Sequence, residues 1–517
     1  MYSMANSEAP NLHITTALLH ESGLGARGNY SKTGFGTDTG GTAPTADDEA
    51  TAFYNYAQHI IDNLSPGTQL QPNVILDTPE PYAGFEPPES LGYTAFTWKM
   101  PQKEDGSKLQ EWEIASALMQ MDSWRDQHIE ARSQPGRHII TDHHIASMDV
   151  GTQLSEEYNP RDRYIRMIRA HSPLRVYLEH SNPQYYQEQY EGKPGADYFK
   201  RVQAEAIQEA DVVLFPTDIE REGSELAIAE HKILSLDEIR RKSATVAIPM
   251  DISDYVDKSP FNPINTGKED FLQQYRVRQI EKLNKWLMSP VNSLSFVGDF
   301  IHPDNTYMAY IGRLDDEKGI FDAVTAYAEY LKHAWNSKGT FAHFLVLGGL
   351  SHKPGNIEKM RHMIQAVREL PNELQEYFII PNAPYPHEAI DTVPSMGIYP
   401  SQEEAFNRGE KQARAVGTLV ALSKVSGHIG TNILDDPTQT PTAIGFTPTD
   451  DWTSYAEVFE AARHPEEYRD IAKAGYEHVQ QFSSEAVCHD ILNLVHSRFN
   501  GFLDSDGLTG KIFKAAS

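Results

Sequence analysis

A single cysteine, Cys488, stands in a chain of 517 residues, so no intrachain disulfide can form. That points to a reducing compartment or to indifference to redox state, with the thiol acting as a small buried hydrophobe. Cations are scarce: 45 Lys and Arg face 73 Asp and Glu, a formal net charge of −28. A surface this acidic repels nucleic acid and anionic lipid, which excludes both as expected partners. Any anionic substrate must then be gripped by a few local cations or by helix N-termini. No stretch approaches the ~18 apolar residues that a membrane span requires. The first residues, MYSMANSEAPNLHITTALLHESG, carry neither a basic n-region nor a long apolar h-region. The expectation is a soluble, cytoplasmic protein without integral membrane contact. No His, Cys or carboxylate cluster has metal-ligand spacing, so neither a metal nor a resident cofactor is expected. A homo-oligomer is compatible with the sequence.

What is present is alternation. The segments 12–19, 73–76, 136–141, 174–180 and 210–217 read as strands, with helical patterns at 48–64 and 199–210. A Pro-, Asn- and Gly-rich loop (SPFNPINTGKED) and the helical run FLQQYRVRQIEKLNKWLM follow. A second series then places strands at 306–314, 340–349, 376–382 and 417–423 and helices at 320–335 and 354–370. Strands alternating with amphipathic helices predict doubly wound parallel sheets. The expected organisation is 1–299 as one Rossmann-like domain, 300–484 as a second, and 485–517 as a helix packing back on the first. Ligands of such sheets sit beyond the carboxyl ends of the strands, so residues just after strands are the candidates.

Tyr310-Ile-Gly-Arg-Leu-Asp-Asp-Glu-Lys-Gly319 is the most specific of these. Gly312 and Arg313 end a strand, and Lys318 precedes a helix. Two cations beside a helix N-terminus make a diphosphate site, with Arg gripping two oxygens and Lys acting as a point charge. The alternative is a surface turn whose cations pair with Asp315, Asp316 and Glu317. The spacing G-R-x4-K-G resembles the opening of the second domain in GT-B glycosyltransferases of family GT4, which includes the sucrose-phosphate synthases, sucrose synthases and mannosylfructose-phosphate synthases. Tyr399-Pro-Ser-Gln-Glu-Glu-Ala-Phe-Asn through Gly417-Thr-Leu-Val resembles that family's donor motif, P-S-x-x-E-x-F-G-x7-A-x-G-T-P-V, whose second Glu follows the first by eight residues. Glu404 and Phe406 match. Asn407 stands for the family's Gly, Gln412 for its second Glu and Leu419 for its Pro. On one helix, Glu404 and Gln412 would lie ~12 Å apart. The resemblance implies that Glu404 bonds hexose hydroxyls and that position 412 bonds the ribose.

In the first half, Asp38-Thr-Gly40-Gly41 resembles the D-T-G-G stretch of the sucrose-forming enzymes, and its glycines would let backbone N–H groups reach phosphate or sugar oxygens. Ile139 through Ser147 falls where those enzymes carry a histidine loop, which implies that His144, with His143 second, faces the donor hexose. The segments from Arg201 to Thr217 and from Ala247 to Ile252 also resemble the family. Arg161, Arg163, Arg166, Arg169 and Arg175 form a basic cluster, with 163, 166 and 169 on adjacent turns if the segment is helical. It is either a phosphate site for a phosphorylated acceptor or a set paired with Glu156, Glu157 and Asp162.

These resemblances imply a retaining hexosyltransferase with two Rossmann-like domains facing across a cleft. It would use a nucleoside-diphosphate sugar of UDP or GDP type, such as UDP-glucose, and a small sugar or sugar-phosphate acceptor. Gln412 and Asn407 leave open a catalytically weakened nucleotide-sugar-binding protein. The fold also hosts phosphorylases and sugar-nucleotide epimerases.

Overall fold

Among the described residues, seven parallel strands form the first sheet in the order β3-β2-β1-β4-β5-β6-β7. They are β1 (Asn11–Ala17), β2 (Gln71–Pro79), β3 (Thr94–Trp98), β4 (Arg137–Asp142), β5 (Tyr164–Arg169), β6 (Val212–Phe215) and β7 (Ser243–Thr245). Seven more described strands form the second, in the order β14-β13-β12-β9-β10-β11-β8. These are β8 (Phe296–Val297), β9 (Tyr307–Ile311), β10 (His343–Leu347), β11 (Phe378–Ile380), β12 (Met396–Tyr399), β13 (Leu419–Ser423) and β14 (Ile444–Phe446), with β8 alone antiparallel. This is a computed structural model. It describes residues 11–17, 42–66, 70–79, 94–99, 101–103, 105–106, 109–122, 124–126, 129, 136–143, 145–154, 164–170, 174–181, 183–193, 195–250, 252–288, 296–298, 300–336, 339–350, 355–381, 394–402, 404, 406–434, 436, 438–449, 451–499 and 502–503.

Both sheets reverse direction of growth at one place, between β1 and β4 in the first and between β9 and β12 in the second. Such a switch point splays the loops after its two strands and leaves a crevice at their carboxyl ends. The central strands are buried on both faces, which explains their near-continuous apolar sequences, as in His343–Leu347, where every residue is buried.

Residues Met1–Met250 and Phe482–Ser517 form one compact unit and Asp251–Gln481 the other. The divisions therefore fall after Met250 and after Gln481, not after 299 and 484. The helix Glu269–Leu287 moves the first of them: its Ile280, Leu283 and Leu287 pack on Tyr307, Ala309, Leu345 and Ile379 of the second sheet. In the first unit, Phe53, Ala57, Ile60 and Ile61 of the helix Thr42–Leu64 share a core with Val487, Ile491, Leu492 and Val495 of the helix Ser484–Arg498. Cys488 is buried in the same core, and burial raises its thiol pKa well above the ordinary range. The carboxyl-terminal helix thus belongs to the first unit, tied in by an isolated bridge between Met250 and Ser483.

Two elements differ from the sequence-based expectation. Residues 174–180, expected as a strand, lie in the helix Arg175–Ser181, because a short apolar run such as Val176, Tyr177 and Leu178 fits either period. The arginine segment is the strand β5 and not a helix. Side chains of a strand alternate, so Arg166 and Arg169 point to opposite faces and form no common patch. No helix among the described residues is long and apolar enough to cross a membrane.

Candidate functional site

In the second unit, β9 is followed by Gly312 and Arg313, and the backbone is held there on both sides. Gly312 N donates to Leu347 O at 3.0 Å, and the Tyr310 hydroxyl donates to Arg313 O at 2.6 Å. A Cβ on Gly312 would meet that hydroxyl oxygen at 2.8 Å, which is why the position takes glycine. Asp315, fully buried, accepts from Glu317 N and lies 3.6 Å from Arg313 Nη1. A short 3-10 turn, Asp316–Lys318, leads through Gly319 at φ +62° into the helix Ile320–Ala334. An alanine at 319 would adopt a left-handed backbone and press its Cβ to 2.2 Å from Pro400 O. That close approach joins the loop after β9 to the loop after β12, as does the bond from Gln402 N to Glu317 O at 2.8 Å.

Side chains complete the junction. Lys318 Nζ donates to Glu404 Oε2 at 2.7 Å, and Ser401 Oγ stands 3.5 Å from the same oxygen. Burial works against the charge on Glu404. The Lys318 ammonium, then His428 and Lys411, outweigh it and hold the carboxyl below its usual range. The turn's cations thus part company: Arg313 leans on Asp315, while Lys318 reaches across to the neighbouring loop.

The donor-motif residues divide between loop and helix. The helix begins at Arg408 and ends at Ala415, with Asn407 as its N-cap accepting from Glu410 N at 3.1 Å. Glu404 and Gln412 are therefore not two positions on one helix, and the ~12 Å helical spacing does not apply. A capping Asn breaks the helix where the pattern has Gly, because its side chain takes the first-turn N–H. Phe406 is buried, with Lys411 Nζ 4.3 Å above its ring centroid. Gln412 Nε2 donates to the Tyr255 hydroxyl at 3.1 Å.

Three buried charges on this short helix escaped the sequence reading. Glu410 accepts from Arg414 Nε at 2.8 Å and contacts Lys411 Nζ, and all three side chains have no exposure. Lys411 also donates to Thr431 Oγ1 at 3.0 Å. A helix this polar reads as solvated, yet its place between the buried strands β12 and β13 is a signal of paired interior charge.

In the first unit the sequence-selected residues separate. His143 follows β4, and its Nε2 lies 3.1 Å from Glu49 Oε1 with both side chains buried. Arg169 Nη2 sits 2.8 Å from the other oxygen of Glu49, as an ion pair without hydrogen-bond alignment, and Nη1 donates to Ala247 O at 3.0 Å. Burial opposes ionisation of Glu49, but Arg169, His143 and the Thr141 hydroxyl bring its pKa down to about 2. His143 is thus an interior residue held by Glu49. Arg166 donates to Asp142 Oδ2 at 2.9 Å, Thr152 Oγ1 at 3.1 Å and Met148 O at 2.7 Å. Arg175 lies 3.6 Å over the Tyr190 ring. Local carboxylates, carbonyls and rings therefore absorb the described arginines, against the expectation of a shared phosphate site. Gly40, Gly41, His144, Arg161 and Arg163 lie outside the described residues. Among those described, His464, Glu466 and Glu467 bring ligand atoms within 4.8 Å of one another and could hold a metal ion, and all three are exposed.

Two doubly wound units of this topology define the GT-B fold of glycosyltransferases. The chain is similar over 94% of its length to sucrose-phosphate synthase from Thermosynechococcus elongatus (98% of that chain, TM-score 0.62, 16% identity). It is also similar over 95% to an alpha,alpha-trehalose-phosphate synthase (UDP-forming) from Burkholderia vietnamiensis (100% of that chain, TM-score 0.60, 10% identity). Anabaena HepE, solved with UDP-glucose, matches over 94% (100% of that chain, TM-score 0.56, 12% identity). No protein-family model matches the chain, and no curated protein does.

Proposed function

We propose that the chain is a retaining, cytoplasmic hexosyltransferase that moves a sugar from a nucleoside diphosphate to a small hydroxylated acceptor, a sugar or sugar phosphate. The observation that carries this reading is the meeting of Lys318 and Glu404 at the switch point of the second sheet. One loop brings cations suited to a diphosphate, and its neighbour brings an ionised carboxylate suited to sugar hydroxyls. The similar structures include a UDP-forming synthase and a protein holding UDP-glucose, which supports a nucleotide-sugar donor of UDP type.

In this reading Arg313 and Lys318 bind the diphosphate and stabilise the charge it gains as the C1–O bond breaks. Glu404 orients the hexose. The acceptor oxygen attacks C1 from the face the phosphate leaves, and its proton passes to a phosphate oxygen, so the anomeric configuration is kept. His144 belongs to the reacting face, and the cations take the place of a metal.

The test is a panel of UDP-, GDP- and ADP-sugars with and without sugar and sugar-phosphate acceptors, reading released nucleotide. Release that requires an acceptor supports transfer. Tight binding without turnover, donor isomerisation, or release only with added phosphate would each sink it.

A further inference from the structure

A side-chain amide has two unlike ends, an accepting oxygen and a donating nitrogen, so a site that uses one must fix which end meets the ligand. A carboxylate poses no such choice, because both its oxygens accept. Gln412 stands where that choice arises. The helix Arg408–Ala415 begins beside the end of β9: a Cβ on Gly409 would come within 3.2 Å of Ile311 O, and the Tyr399 hydroxyl donates to Gly409 O at 2.9 Å. From Gly409 to Gln412 the helix advances ~4.5 Å. The Gln412 side chain lies on the half-exposed stripe with Arg408 and Gly409, whereas Glu410, Lys411, Ala413 and Arg414 are buried.

One end of this amide is already taken. Gln412 Nε2 donates to the Tyr255 hydroxyl at 3.1 Å, and no hydrogen bond among the described residues reaches Oε1. Tyr255 lies in the short helix Ser253–Val256 of the same unit, at the head of the Pro- and Asn-rich loop. Asparagines staple that segment: Asn262 Nδ2 donates to Val256 O at 3.2 Å, and Asn265 Nδ2 donates to Asp257 O at 2.8 Å and Ser259 O at 2.9 Å. The loop also presses on the far end of the helix that carries Gln412. A Cβ on Gly417 would meet Ser259 Oγ at 2.8 Å and the Phe261 ring at 2.9 Å. Tyr255 is therefore a fixed partner, and the amide turns to suit it.

We propose that Tyr255 is a positioning residue for the donor: by engaging Nε2 it turns Gln412 Oε1 toward the ligand, where it accepts from a ribose hydroxyl. The assignment rests on the donor-site reading above. In a nucleoside diphosphate the ribose follows the phosphates directly, so phosphates held at Arg313 and Lys318 leave the ribose for the next turn of this helix. With its nitrogen held, the amide does there what a carboxylate would do unaided. Turned round, it would offer the ribose donors alone.

Calorimetric titration of the full chain with UDP and with the dideoxyribose analogue of UDP tests this. Wild type should bind UDP about 5- to 10-fold more tightly than the analogue, the scale of one net hydrogen bond. In Tyr255→Phe that preference should fall below about 2-fold, because the released amide can present either end. The phenylalanine ring keeps its place under Lys258 Nζ, now 5.3 Å from the Tyr255 centroid, so the variant should melt within about 2 °C of wild type. Tyr255→Phe/Gln412→Glu should regain the preference, since a carboxylate accepts whichever way it turns, and a merely structural role of Tyr255 would not be rescued in this way. The assignment is overturned by an unchanged preference in Tyr255→Phe, by a lost preference that Gln412→Glu does not restore, or by a wild type that binds UDP and its analogue equally. These outcomes leave the donor reading in place. A wild type that binds no nucleoside diphosphate at all removes the donor reading itself, and this assignment with it.

Discussion

Lys318 and Glu404 are 86 residues apart in the chain and 2.7 Å apart in space. Each stands just beyond the carboxyl end of a strand, and those two strands, β9 and β12, are neighbours in the sheet. An ion pair at that place ties the two loops together, and in the proposed function its two groups are the ones that meet the donor.

Removing either loop cation should cripple transfer while sparing the fold. Arg313→Ala and Lys318→Ala are each expected to lower kcat/KM by about 2–4 kcal/mol equivalent, the scale for one transition-state donor. Steady-state kinetics with the donor identified by the sugar panel checks this. Near-normal turnover in both variants removes the diphosphate assignment.

Glu404 and Gln412 should answer differently to the exchange of acid and amide. Glu404→Gln is expected to lose turnover yet keep UDP binding, since UDP lacks the hexose and Lys318 is released to meet it. Gln412→Glu should be tolerated, whereas Gln412→Leu should weaken UDP by about 1–3 kcal/mol through unpaired hydroxyls. Calorimetry on the three variants measures all of this, and undiminished UDP binding by Gln412→Leu would take the ribose away from that position.

The two histidines after β4 part company as well. His143→Ala should destabilise the first unit by about 1.5–3 kcal/mol, the worth of a hydrogen bond to a buried charged group, here Glu49. His144→Ala should instead slow transfer with little change in stability or nucleotide affinity. Denaturant unfolding alongside kinetics separates them, and a stable but inactive His143→Ala would reverse the roles.

Glu49 gives the first unit an acid limit. Its folded pKa, about 2, lies below the ordinary 4.5. The stabilisation is therefore complete above about pH 4.5 and is lost as pH falls through about 2, amounting to about 3 kcal/mol. Glu49→Gln should lose that amount at neutral pH and show a flatter stability profile between those limits. A profile parallel to wild type would contradict the assignment.

The loop after β9 was legible because glycine, arginine and lysine punctuate an apolar strand and a strongly amphipathic helix. Glu404 was legible through its place in a pattern. The partners that tune it were not. Lys411 and Arg414 lie on a helix that looks solvated, and only the contacts of Lys411 with Thr431 and Phe406 and of Arg414 with Glu410 reveal them as interior. The surroundings of Arg169 and His143 were hidden for a related reason: local sequence gives no hint that Glu49, on a distant helix, contacts both. The boundary at Met250 was hidden because Glu269–Leu287 is amphipathic in any setting, and what its apolar stripe covers is a matter of tertiary structure.

The division of the chain has a temporal side. Asp251–Gln481 is one uninterrupted stretch, while the first unit is completed by residues from Phe482 onward. During synthesis the second unit can close its core as soon as its own residues emerge. The first, begun earlier, must wait with Phe53, Ile60 and Ile61 uncovered until the helix Ser484–Arg498 arrives to seal them. The unit started first is the one finished last, and for the time between, its exposed face is where a nascent chain is open to aggregation or to a chaperone.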